Sequence, residues 1–121
     1  MALFRCGSGS SGSGYNYLST TSITVTSRSG VISGLTSGKS YYMIVDYAWS
    51  NNNFNAEISA ASNTTGLTKI ASNQEKVSSS VAAYLNSSVY TFTATSTSSG
   101  LTFSSFGTSA ANVRITLFES A

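Results

Sequence analysis

The chain has no histidine, no proline and a single cysteine, and only six Lys and Arg and four Asp and Glu are spread over 121 residues. Without histidine, the commonest proton shuttle and metal ligand near neutral pH is missing. The four carboxylates Asp46, Glu57, Glu75 and Glu119 stand singly along the chain, so no acid/base pair can be nominated. No catalytic residue, no metal site and no cofactor is expected, and the chain reads as a non-enzyme. Cys6, being alone, excludes an internal disulfide and any multi-cysteine metal site. With no base nearby it is expected to be an unreactive thiol. Proline, a common guard on exposed strand edges, is absent, so edges must be bulged, covered or used for assembly.

Basic clusters are also missing. Arg5, Arg28, Lys39, Lys69, Lys76 and Arg114 give a net charge of +2 without forming a patch. Nucleic acid is therefore excluded as a partner, because displacing phosphate counterions takes clustered cations. No apolar run approaches the roughly 18 residues of a spanning helix, and no h-region fits ahead of Cys6. Neither membrane insertion nor a secretory leader is expected of the chain as it stands, although a processed form would escape that reasoning.

What is present is hydroxyl and aromatic. Ser and Thr make up about a third of the residues, charged residues 8%, and seven Tyr, six Phe and one Trp supply large surfaces for burial. A surface of hydroxyls and amides has little charge repulsion to keep copies apart, which suits an assembly or a crowded extracellular setting. A soluble monomer solvated by Ser, Thr and Asn is the alternative.

Residues 7–14 read GSGSSGSG, a polar tract that cannot build a core. Residues 1–14 are therefore expected to form an arm with an apolar tip at Leu3 and Phe4, and 15–121 a single domain. An expression scar is the alternative reading of the tract. Its formal G-x-G-x-x-G match lacks the preceding strand and following helix that a dinucleotide site requires. Beyond Tyr15 the signal is period two. Ile23 and Val25 alternate with hydroxyl residues, as do Tyr90, Phe92 and Ala94; Phe54, Ala56, Ile58 and Ala60 form a further strand, and Leu101 and Phe103 a short one. Val113, Ile115 and Leu117 against Asn112, Arg114 and Thr116 give the cleanest alternation.

Tyr41, Met43, Val45, Tyr47 and Trp49 share one face of a long strand whose other face, with Tyr42, Ile44 and Ala48, is also apolar, so that strand is expected to be central or covered on both sides. Gln74 to Leu85 fits both periods and is taken as strand. Turns are expected at 27–30, 33–40, 50–53, 62–66, 86–88, 96–100 and 104–110. The fold class is all-β, an antiparallel β-sandwich, jelly-roll-like or immunoglobulin-like.

Asp46 interrupts an apolar strand. Buried, it would need Lys39, Lys69 or Arg114 as a partner; pointing to solvent is the simpler expectation. Tyr47, Trp49, Asn51, Asn52, Asn53 and Phe54 place aromatics around an Asn-rich turn, the chemistry of a sugar-binding surface. Core aromatics beside an ordinary Asn turn explain the same residues without a ligand. Asn63-Thr64-Thr65 and Asn86-Ser87-Ser88 match the glycosylation sequon, as chance allows in so hydroxyl-rich a chain.

Leu35-Thr36-Ser37-Gly38-Lys39-Ser40-Tyr41 leading into Tyr42-Met43-Ile44-Val45 resembles the turn-into-strand signature of fibronectin type III domains, with Ser37 in the place of the usual Pro. That resemblance implies a sandwich in which the Tyr41 hydroxyl closes a corner. The whole organisation, with its apolar tip, Gly/Ser arm and Ser/Thr/Asn-rich β domain, resembles small virion proteins of bacteriophages and prophages. It implies a tail, fibre or capsid-associated structural subunit, located in the virion or in the cytoplasm of the producing cell before assembly. Its expected partners are copies of itself or other virion proteins, with Leu3, Phe4, Tyr42 and Ile44 as contact residues. The alternatives are a carbohydrate-binding or host-recognition module whose partner is a surface glycan, and an extracellular fragment of an adhesin or surface-layer repeat.

Overall fold

A computed structural model describes residues 14–49, 55–76, 84–105 and 111–121. Eight strands carry them: β1 (Tyr15–Val25), β2 (Ser29–Ser33), β3 (Ser40–Trp49), β4 (Asn55–Ala61), β5 (Thr64–Lys76), β6 (Tyr84–Ala94), β7 (Ser98–Ser105) and β8 (Ala111–Ser120). They form a five-stranded sheet in the order β1-β8-β3-β6-β5 and a three-stranded sheet in the order β2-β7-β4, and every ladder is antiparallel.

The two sheets face each other as a β-sandwich. Its pairing is nested: β1 lies with β8, β2 with β7 and β3 with β6. This is the order of a long antiparallel ribbon rolled on itself, so of the two sandwich types expected, the topology is that of a jelly roll. β5 is displaced from the small sheet and extends the large one beyond β6.

The core is the inward set of each alternation. Tyr41, Met43, Val45 and Tyr47 of β3, Tyr90, Phe92 and Ala94 of β6, and Val113, Ile115 and Leu117 of β8 are buried, facing Ile32 of β2, Ile58 of β4, and Leu101 and Phe103 of β7. Each such side chain contributes about 1.5–3 kcal/mol when fully removed from water. Tyr41 and Phe92 stack across the β3–β6 ladder with ring centroids 5.3 Å apart.

Hydroxyls pin this apolar layer at its margins. The Ile58 amide donates to the Tyr90 hydroxyl at 2.7 Å, tying the small sheet to the large one. The Thr36 amide donates to the Tyr41 hydroxyl at 2.6 Å, which in turn donates to Glu119 at 2.5 Å. The corner bond implied by the fibronectin-like motif is therefore formed, in a different topology. Lys69 of β5 and Glu57 of β4 pair at 2.8 Å on the exposed flank between the sheets.

Several expected turns move. Asn86, Ser87 and Ser88 are not a turn but the middle of β6, with Asn86 and Ser88 pointing inward and buried. Hydroxyl and amide side chains at core positions disguised the strand; the Ser88 hydroxyl is bonded to that of Tyr90. Residues 29–30 open β2, because the reversal is made by Ser27 and Arg28 alone, both with positive φ (51° and 67°) between the bridged Thr26 and Ser29. Likewise 64–66 belong to β5, 98–100 and 104–105 to β7, and only Ser62 and Asn63 turn between β4 and β5. Of the 74–85 segment, Gln74 to Lys76 and Tyr84 to Leu85 are strand, while 77–83 lie outside the described residues.

Candidate functional site

The inward faces of both sheets are spent on the core, so the outward face of the five-stranded sheet is where side chains are left over for contacts. Two zones divide it, each fixed by ladder register. At the end where β1 begins and β8 ends, Tyr17 lies opposite Phe118, and Phe118 opposite Tyr42. Tyr15 packs edge-on against Tyr42 at 4.6 Å, and Tyr17 against Phe118 at 5.8 Å. Ile44 and Val89 are opposite each other one row behind. Tyr17 is 56% exposed, and among the described residues no other strand covers this aromatic zone, because the small sheet packs on the opposite face.

At the other end, where β3 and β5 finish and β6 and β8 begin, the row is polar. Ser22, Arg114, Asp46, Ser87 and Asn73 stand opposite one another in order across all five strands. A cleft of about 580 Å³ opens over this row, with Asn112, Glu75, Leu85, Tyr47 and Asn86 completing its walls. The Arg114 guanidinium donates to Asp46 Oδ2 at 3.4 Å, and both side chains stay solvent-accessible. Asp46 therefore does point outward, and its partner is one of the three cations the sequence offered. Thr24 donates to Asn112 Oδ1 at 3.2 Å, steadying the rim. Leu85, 52% exposed, is the apolar element.

The edges of the large sheet also differ. β5 carries Lys69, Glu75 and Lys76 and two register shifts against β6, devices that discourage further pairing. β1 runs eleven residues, YNYLSTTSITV, without a charge and with one shift, at Leu18.

The sequence-expected site residues fall as follows. Tyr42 and Ile44 lie on the outward face, half-buried among the neighbours just named. Leu3 and Phe4 lie outside the described residues, as do Asn51, Asn52, Asn53 and Phe54. Trp49 ends β3, paired with Tyr84 of β6. Tyr47 is 4% exposed and its hydroxyl is pushed up to about 12 by burial. Its ring belongs to the core and is not an open stacking platform, although the residue lines the cleft.

The polar row went unnoticed in the sequence because its five members sit at positions 22, 46, 73, 87 and 114, with nothing local to join them. Among the described residues, no group of three or more His, Cys, Asp or Glu could hold a metal ion, and no helix is long and apolar enough to cross a membrane. Compared with known proteins, the chain matches no family, and no curated protein or solved structure is significantly similar to it.

Proposed function

We propose that this chain is a non-enzymatic structural subunit of a virion or a comparable protein assembly, joined to copies of itself through the β1 edge and the aromatic zone beside it. The observation that carries the reading is β1 itself: a long, uncharged edge strand with unpaired backbone groups is a template for another strand. Addition of a second β1, antiparallel to the first about a two-fold axis, would continue the five-stranded sheet across the pair with both outward faces on the same side. Leu3 and Phe4 precede this same strand in the sequence and belong to the proposed contacts. The jelly roll alone does not choose this role, since capsid and lectin domains both use it.

Light scattering across a concentration series tests the reading. The wild-type chain is expected to be a dimer or larger. Thr21→Lys sets a charge on the sandwich-facing side of the edge at a position exposed in the single chain, and should return it to a monomer with an unchanged circular dichroism spectrum. Deletion of residues 1–13 should weaken association without abolishing it. A wild-type monomer at every concentration would remove the proposal.

A further inference from the structure

We infer that the cleft across the polar end of the five-stranded sheet is a binding site for a neutral, polyhydroxylated ligand, a short glycan segment lying across the strands. The inference rests on the outward polar row and not on strand pairing; the two readings share only Ser22, which lies on β1.

The lining selects the ligand class by elimination and by fit. Its charged members are Asp46 and Glu75 against Arg114, a balance of one net negative charge. That balance disfavours phosphate, sulfate and acidic sugars, whose anions would meet two carboxylates for one guanidinium. A divalent cation would need a denser oxygen cage than two carboxylates, one of them already engaged by Arg114 at 3.4 Å. An apolar molecule would desolvate Ser22, Asp46, Asn73, Ser87, Asn112 and Arg114 without giving them partners, which is unfavourable for each group left unpaired.

A sugar reverses that last term. Each hydroxyl both donates and accepts, so it can give a hydrogen bond to a carboxylate or amide oxygen while receiving one from Arg114 or an Asn amide. The row spans five strands, which lie about 4.7–4.9 Å apart. Polar side chains at that spacing suit a chain of two to four sugar rings with repeating hydroxyls. Leu85, exposed beside the row, offers an apolar contact that the CH face of a ring can cover. The Asp46–Arg114 pair keeps its groups oriented before the ligand arrives, which lowers the ordering cost of binding.

The test is an array of neutral and acidic glycans probed with the wild-type chain, followed by amide-shift mapping with the best neutral oligosaccharide. Shifts are expected at Ser22, Asp46, Asn73, Leu85, Ser87 and Arg114. Asn73→Ala and Asp46→Asn should each weaken binding about tenfold, the loss of one hydrogen-bond partner. Thr21→Lys, which breaks the β1 edge, should leave binding unchanged, so failure of one proposal is separable from failure of the other. Absence of binding to any neutral glycan, preference for acidic ones, or shifts confined to the aromatic zone would each overturn the inference.

Discussion

Met43 and Ile44 are neighbours on β3, yet Met43 is wholly buried between the sheets while Ile44 sits half-buried on the outside of the same sheet. The inner face of β3, from Tyr41 to Tyr47, is wholly buried in the core. The outer face splits into an aromatic end and a polar end, a division that packing does not require. The difference teaches where to look for selection beyond folding: residues that stability does not explain are gathered on one surface.

Truncating the two neighbours sharpens this most. Met43→Ala is expected to cost about 2–5 kcal/mol, because the rigid inner layer retains a cavity, whereas Ile44→Ala should cost under about 1.5 kcal/mol since its side chain is only partly buried. Urea denaturation of the monomeric Thr21→Lys background reads both. Equal losses would mean that the outer face is a second core, covered in a way the single chain does not show.

A smaller effect comes from the bond that crosses between the sheets. Tyr90→Phe keeps the ring but leaves the buried Ile58 amide without its acceptor, at an expected cost of about 1–3 kcal/mol. Ser99 makes the opposite case. Its hydroxyl is buried, faces the core from β7 and has no hydrogen-bond partner among the described residues. Ser99→Ala should therefore gain up to about 1 kcal/mol, detected as a raised urea midpoint at constant slope.

The smallest effect is confined to alkaline solution. Burial raises the Tyr47 hydroxyl to about 12 and also raises those of Tyr41 and Tyr90, with the Glu119 hydrogen bond adding to the rise at Tyr41. The folded state thus holds these protons more tightly than the unfolded chain does. Their contribution is complete below the ordinary tyrosine value of 10 and is lost as pH climbs from there towards 12. Unfolding followed by tyrosinate absorbance should become steeper over that range, and Tyr47→Phe should flatten it.

The parts of the fold legible in the sequence were those where one face is dry and the other wet. β8 alternates Val113, Ile115 and Leu117 with polar residues, and its burial follows that pattern. β2 was hidden because five residues, one of them Gly30, carry only Val31 and Ile32 as a signal. Gly30 is there because a Cβ would sit 3.0 Å from the Ile23 side chain of β1. β5 escaped notice for another reason: as the outermost strand it has Lys69 and Ser72 opposite the inward Tyr90 and Ser88, and its two register shifts interrupt the alternation.

Of the site, Tyr42, Ile44 and Asp46 could be seen because β3 is read as one strand with two faces. The row from Ser22 to Asn73 could not, since it exists only once the strands are placed in the order β1-β8-β3-β6-β5.

The central claim, that the β1 edge is a pairing surface, is met most directly by amide hydrogen exchange of β1 measured at low and high protein concentration. The β1 amides that do not bond to β8 should exchange quickly in dilute solution and become protected as concentration rises, while those of β3 stay protected throughout. Protection of β1 that does not change with concentration would contradict the account.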